Sequence, residues 1–533
     1  MKNDDLADFR PYVDVILDQL QKRSDRVVLR YLDHDVTGDA LRSAIFRRAR
    51  ALAAIGVGRG SLVAQLAPNC PDALAIRYAA NLLGAATMFL PVHVSAERCA
   101  ALLARLQPTV LVGFRETVQL IPDAFDGRVV FVGIGPTSSR LDKLAQVQSD
   151  LPMRGHPGPD DLAVVVSSGG STGVPKCSRR SFATYSTMVG AASNEDRRQL
   201  INGPLAYLSQ VLVDATLIGG GTVVLKPRYD AAETLATIEA ERITDVLLVE
   251  PQLFETMDHP DVGRRDLSSL RSIVHIGGSA PAVLRQRAIA CLGSVLTHMY
   301  GASETGVVSV LPPSAREADE ELLTGAGRIR PGVEVRLRRT DGTLACVGEC
   351  GNIEVRSAAV ADGYYNQPLE TAKKFQEGWC LTGDVGFIDA AANLHILGRA
   401  ADVAEIDGIA IGPTQIEDVL CRLPDVRYAV ALGANNAAGD HGWAAVVQPW
   451  SAGQADIARC MRRLKTALGS FVANRIRIVV ADHVPLTEQG KPDRTAIEMI
   501  LQDSPQSSYD TLQLLSRAVS LTERSGSNRR SSI

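Results

Sequence analysis

Between Asp39 and Ile55 the apolar residues Leu41, Ile45, Ala49 and Leu52 recur every three or four positions, and Gly56 follows. That spacing puts one apolar stripe along a helix, and the glycine marks its end. The pattern then changes to continuous apolar runs. "SLVAQLAP", "ATMFLPV", "PTVLVGF" and "RVVFVGI" predict short buried strands, with a helix over "PDALAIRYAANLLG". The alternation returns with strand "GTVVLKP", helix "AAETLATIEAER", strands "TDVLLVEP" and "RSIVHIGG", helix "APAVLRQRAIACLG" and strand "SVLTHMYG". Strands alternating with helices predict α/β layers on largely parallel sheets. From about residue 325 short strands and turns take over, as in "GNIEVRS" and "NLHILGR". After Arg399 a smaller α/β unit is predicted from helix "PTQIEDVLCRL", strands "RYAVALG" and "WAAVVQPW", helix "IARCMRRLKTAL" and strand "IRIVVAD". No internal repeat interrupts this order. The tail from about Asp503 is rich in Ser, Arg and Gln, and is predicted to fray beyond "TLQLLSRAVSL".

Open α/β sheets gather ligands at the carboxyl ends of their strands. Three strand exits carry polar, glycine-rich sequence, "VVVSSGGSTG", "VHIGGSAP" and "LTHMYGASETG", and are expected to converge on one site. The first continues to "VPK". A nucleotide-binding P-loop needs Gly-Lys-Ser/Thr at a helix start, whereas here Pro175 precedes Lys176 and Cys177 follows it. What remains is a strand feeding hydroxyls and flexible backbone, which can wrap N–H groups around an anion. The same composition also makes an ordinary turn, so the rest of the chain has to decide.

The bulk numbers narrow the choice. A length of 533 residues leaves room for about three domain-sized units. With 46% hydrophobic and 22% charged residues and a formal net charge of -4, the composition is globular, with no basic excess to favour nucleic acid. The opening "MKNDDLADFR" lacks the basic and apolar regions of a signal peptide. "AANLLGAATMFLPVHV" is too short and interrupted to span a bilayer, so a cytoplasmic location without a membrane span is expected. Of nine scattered cysteines only Cys346 and Cys350 lie close together, without histidines at zinc-site spacing, and reduced thiols are expected.

Five segments then fall in one order: "SSGGSTGVPK", "YGASETG", "WCLTGD", "GRAADVAEIDGIAIGPTQIE" and "PLTEQGKPDR". Together they resemble the adenylate-forming superfamily of acyl-CoA synthetases, peptide-synthetase adenylation domains and luciferases. The likeness runs to about residue 500. It implies an α/β fold, with a large N-terminal domain of layered, mostly parallel sheets plus a small β-structured lobe over residues 1–398. A small, mobile α+β C-terminal domain over 399–505 would carry the catalytic lysine, and 506–533 would be a polar tail. The implied chemistry is attack of a carboxylate on the α-phosphorus of ATP, giving an acyl-adenylate and pyrophosphate, after which a thiol displaces AMP. ATP, Mg²⁺ and either CoA or the pantetheine arm of an acyl carrier protein are the implied cofactors and partners.

The resemblance also assigns residues. Ser168, Gly169, Gly170, Ser171, Thr172, Gly173 and Lys176 would grip the β- and γ-phosphates of ATP. Gly277, Gly278 and Ser279 would lie along the adenine, and Tyr300, followed by Gly301, would stack on it. Ser303 takes the place of the commoner threonine near the α-phosphate, and Glu304 matches the glutamate that helps hold Mg²⁺, a hard ion that prefers oxygen. Asp384 and Arg399 match the pair that binds the ribose hydroxyls. Lys491 matches the lysine that bridges the acid carboxylate and the α-phosphate, where two anions meet and need positive charge.

Some positions depart from the family pattern. Ala401 stands where a hinge Asp or Lys is usual, with Asp402 next, and Glu405 replaces a frequent lysine. Gly408 is retained, and by resemblance it lines the pantetheine tunnel. "SGGSTG" is nearest to the aryl-acid-activating branch, yet "GPLAYLSQ" lacks that branch's His-Asn and places Tyr207 at or near the aromatic gate. Asp214 lies too close to the following glycines to hold an α-amino group. A hydrophobic, non-amino carboxylic acid, aryl or aliphatic, is therefore expected, with Tyr207, Val211, Val249 and Gly277 in the pocket wall. Three functions stay open: an acid:CoA ligase, a stand-alone adenylation enzyme that loads a carrier protein, and a nucleotide-binding partner that has lost catalysis. Retention of both Lys491 and Glu304 favours an enzyme, and the ligase is expected.

Overall fold

The computed structural model describes residues 9–92, 95–155, 157–167, 175–277, 281–313, 323–435, 441–450, 455–487 and 491–503. By its contacts the chain divides into two compact units. The larger takes the described residues up to Ile396 and the loop Thr487–Lys491; the smaller takes Leu397–Leu486 and the described residues from Pro492.

The larger unit is built on two mainly parallel sheets. In the six-stranded sheet, Val129–Val132, Val110–Phe114, Leu62–Leu66, Ala86–Phe89 and Leu162–Ser167 run parallel in that order, and Cys177–Ser181 closes the edge antiparallel. Leu62–Leu66 and Val110–Phe114 are buried at every position, which is why they read as unbroken apolar runs. In the nine-stranded sheet, Leu296–Ala302, Ser272–Ile276, Asp245–Leu247, Arg198–Ile201, Thr222–Leu225 and Val27–Tyr31 are parallel neighbours. Antiparallel strands finish both of its edges: Gly306–Leu311 with Arg328–Ile329 on one side, and His34–Thr37 on the other.

The main core joins the two sheets. Ile16, Leu41, Leu74 and Val213, on the helices Tyr12–Lys22, Gly38–Ala54, Pro71–Leu82 and Gln210–Ile218, pack in one cluster with Val112 and Val164 of one sheet and Val223 of the other. The second of these helices is capped at its start, with the Thr37 hydroxyl accepting from Ala40 N at 3.2 Å. Helices Tyr12–Lys22, Ala96–Leu106, Phe182–Val189 and Arg494–Asp503 add to those predicted. A five-stranded lobe follows, in which Glu334–Arg338, Gly351–Arg356, Trp379–Ile388 and Phe375–Gln376 pair antiparallel and Leu394–Arg399 joins Trp379–Ile388.

The smaller unit holds the hairpin Ala404–Ile406/Ile409–Ile411 and a three-stranded sheet of Val426–Asn435, His441–Pro449 and Ile476–Val480. Asp407 and Gly408 both have positive φ, 50° and 79°, the backbone of a two-residue hairpin turn, and this turn accounts for the glycine. Among the described residues no helix is long and apolar enough to cross a membrane.

Candidate active site

The expected strand exits come from different sheets. Val166 and Ser167 end a strand of the six-stranded sheet, whereas Ile276, Gly301 and Ala302 belong to the nine-stranded one and Ser303 follows its strand. Together with Gly277 they line one cavity of about 380 Å³, a size suited to a small molecule. Gly277 leaves its strand at φ 98°, a backbone that a side chain would strain. Gly301 is needed for a different reason, since a Cβ there would lie 2.3 Å from the Gly306 carbonyl oxygen. "YGASETG" is less of a loop than predicted: Tyr300–Ala302 stay in the strand, and only Ser303–Thr305 make the turn into Gly306–Leu311.

The four residues expected in the pocket wall, Tyr207, Val211, Val249 and Gly277, all line this cavity, alongside Met188, Leu247 and Ile276. Tyr207 reaches it through a kink. Next to an extended Ala206 its backbone has φ 72° and ψ -137°, a conformation that costs roughly 1–3 kcal/mol in a non-glycine residue and collects at ligand sites. Buried Asn69 braces this stretch, donating to Gly203 O at 2.6 Å and accepting from Leu205 N at 3.0 Å.

Lys491 lines the same cavity. Thr487 holds it at the backbone, with Thr487 N donating to Lys491 O at 2.7 Å and Lys491 N donating to Thr487 Oγ1 at 3.2 Å. Ser303 also faces the cavity, and its hydroxyl donates to Glu304 at 2.8 Å. The other Glu304 oxygen accepts from the Tyr364 hydroxyl at 2.7 Å. Burial alone would push the Glu304 carboxyl up. The Tyr364 hydrogen bond, the Lys374 charge and the Ser303 hydrogen bond outweigh it and hold the group below the usual carboxylate range. An ionised carboxylate of this kind fits Mg²⁺, with bound phosphates able to supply further oxygens. Among the described residues no three His, Cys, Asp or Glu side chains are grouped for a metal, so Glu304 would be one ligand of several.

Tyr300 and Asp384, expected at adenine and ribose, are brought together: the Tyr300 hydroxyl donates to Asp384 at 2.6 Å, and Asp384 N donates to Thr382 Oγ1 at 3.0 Å. Lys176 pairs with Glu370 at 2.5 Å, which with Lys373 lowers the Glu370 carboxyl to about 2, and its ammonium sits 5.4 Å from the Tyr364 ring centre. Arg399 and Gly408 are exposed residues of the smaller unit. Ser168, Gly169, Gly170, Ser171, Thr172 and Gly173, with Gly278 and Ser279, lie outside the described residues, as does the tail 506–533.

Two residues of this site escaped the sequence. Tyr364 is 60 positions from Glu304 and reaches it because the segment 361–365 runs beside the strand Cys177–Ser181. The links are Arg179 N to Gly363 O at 2.9 Å, Asp362 N to Arg179 O at 2.9 Å and Tyr365 N to Cys177 O at 2.8 Å, and Ala361 N also donates to Glu304 O at 2.8 Å. Arg180 is opposite Val164 in the antiparallel register, and its side chain is 2% exposed in the cavity wall. The alternation of "CSRRS" against "VVVS" was its only sequence signal.

The family model for AMP-binding enzymes matches residues 16–365. The chain belongs to the AMP-binding enzyme family. Among curated relatives, the medium/long-chain-fatty-acid–CoA ligase FadD8 of Mycobacterium tuberculosis is 29% identical over 519 residues, 91% of this chain and 89% of that protein. The feruloyl-CoA synthase of an Amycolatopsis species is 29% identical over 455 residues, 84% of this chain and 90% of its own. Among solved structures, the amide bond synthetase McbA from Marinactinospora thermotolerans superposes with a TM-score of 0.84 at 29% identity, covering 92% of this chain and 99% of that one.

Proposed function

We propose that this AMP-binding enzyme uses ATP to convert a non-amino carboxylic acid with an apolar body into an acyl-adenylate, and then passes the acyl group to the thiol of CoA. The observation that carries the reading is a single apolar cavity faced by both Lys491 and Ser303. A carboxylate oxygen of the acid would bond to the α-phosphorus as the bond to pyrophosphate breaks. Both reactants are anions, so an ammonium in a partly desolvated site lowers the barrier by countering charge on the transferring group. Lys491 would supply that charge. Mg²⁺, held in part by Glu304, would neutralise the leaving pyrophosphate. In the second half a thiol adds to the acyl carbon and AMP leaves with the electron pair of the acyl–phosphate bond. The CoA-ligase relatives favour a thiol acceptor.

McbA's likeness favours a second reading, in which an amine takes the acyl group. A carrier-protein pantetheine is the third acceptor consistent with the same adenylate. Acid-dependent pyrophosphate release, measured on aryl and aliphatic acids with CoA, a pantetheinylated carrier or a simple amine, separates the three by which one raises turnover. For Lys491→Ala the expected result is a loss of about a hundredfold or more in pyrophosphate release with ATP binding retained. Near-normal release would remove Lys491 from the mechanism.

A further inference from the structure

Arg180 is the unusual group in this cavity. It sits on the edge strand Cys177–Ser181, opposite Val164 and on the sheet face that carries Val166 into the cavity. The residue is 2% exposed. Its Nε donates to Ala359 O at 3.1 Å, and its Nη2 is buried with no partner among the described residues. The nearby Glu304 accepts instead from Tyr364 and Ser303, and no hydrogen bond joins it to Arg180 among the described residues. Burial pulls the guanidinium below the usual arginine range, and the Glu304 charge only partly opposes this. A buried cation with an idle donor is costly unless something pairs with it. Small residues leave space for that partner. Gly306, Ala358 and Ala359 line the cavity here, and a Cβ on Gly306 would meet Ala359 Cβ at 3.5 Å and Met188 Sδ at 3.8 Å.

We propose that Arg180 is a specificity residue, whose guanidinium holds a second oxygen acceptor on the acid, a carboxylate or hydroxyl oxygen separate from the carboxylate being activated. The proposal rests on the acid-activation reading above and narrows its substrate: an apolar body bearing one further oxygen group. A site built around a polar group rejects the analogue that lacks it far more strongly than an apolar pocket rejects an extra methylene, because the site's own donor is then left unpaired.

The test uses the full chain and matched acids: benzoate against its hydroxy and carboxy derivatives at each ring position, and hexanoate against adipate. Acid-dependent pyrophosphate release gives kcat/KM for each acid and KM for ATP. The wild type should prefer an acceptor-bearing acid over its plain parent by tenfold or more. Arg180→Met, which keeps an unbranched apolar chain of similar reach, should lower kcat/KM for that acid about a hundredfold, spare or improve the plain parent, and leave the KM for ATP unchanged. Arg180→Lys keeps the charge but loses the fork, so it should show a weakened preference of the same sign, and it decides the matter if the methionine variant does not fold. A wild type that activates plain acids as well as their oxygenated partners would overturn the inference and leave acid activation standing. So would an Arg180 variant that raises the KM for ATP with acid preference intact, since the guanidinium would then serve the nucleotide. A wild type that releases pyrophosphate with no acid at all would defeat the activation reading, and this inference with it.

Discussion

Arg77 and Asp214 meet as a two-point ion pair at 2.7 and 2.8 Å with neither side chain exposed. The hydroxyls of Tyr78 and Tyr185 donate to the same carboxylate at 2.6 Å each. Every oxygen of Asp214 is thereby committed to the core, which gives a physical reason why this aspartate is not placed to hold a substrate amine. Removing one member of such a pair leaves the other charged and dry. Asp214→Ala should lower the unfolding free energy by about 3–5 kcal/mol in urea titration, a loss that a surface aspartate would not produce. Tyr364 presents the opposite case, a hydroxyl bonded to the carboxylate proposed to hold Mg²⁺. Tyr364→Phe removes the donor that helps keep Glu304 ionised, so the Glu304 pKa should rise and the acid limb of the activity profile should move to higher pH. The Mg²⁺ concentration for half-maximal rate should increase roughly tenfold, read from metal titrations at neutral pH. An unchanged metal requirement would reject the tuning role. Ser303 and Glu304 were legible because they adjoin in "ASETG", whereas Tyr364 and Arg180 were not, since only strand pairing makes them neighbours.

His275 and His298 face each other on adjacent parallel strands, with their Nδ1 atoms 3.0 Å apart and their ring centres 5.2 Å apart. One Nδ1–H must donate to the lone pair of the other, which requires the accepting ring to be neutral. Burial first, and then the charge of Arg285, lowers both pKa values, that of His275 to about 3. A histidine whose folded pKa is depressed contributes stability that is present above its unfolded value near ~6.5 and lost as pH falls. The window therefore runs from about 6.5 down to about 3. Unfolding free energies from urea titration across it should fall more steeply for the wild type than for His275→Asn, by up to about 1.4 kcal/mol per pH unit for the removed group. Parallel curves would show that the pair does not titrate on unfolding. The strands carrying these histidines were readable from the apolar and β-branched residues of "SIVHI" and "VLTHM" ahead of glycines. The strand Cys177–Ser181 was not, because "CSRRS" has no apolar signature and owes its place to the hairpin with Leu162–Ser167.

Across the whole molecule the chain changes unit three times, after Ile396, after Leu486 and after Lys491. Within the smaller unit, Asp402 accepts from Gly433 N at 3.0 Å and pairs with Arg494, while its carbonyl accepts from Trp443 Nε1 at 2.7 Å. This fastening gives a role within the unit to the acidic residue that follows Ala401, where the family pattern departs. In the larger unit one stretch of backbone ties several functions together. Ala359 O receives Arg180, Ala361 N reaches the backbone of Glu304, and the Tyr364 hydroxyl meets the Glu304 carboxylate. The groups proposed for substrate choice and for metal binding thus hang on the same short stretch, residues 359–364. A lineage that drifted toward a new acid by altering this stretch would disturb its reaction rate in the same step, so the two traits would be inherited as one. Laboratory evolution of a new specificity should then advance faster through changes on the Tyr207 side of the cavity, which lies outside this stretch of chain.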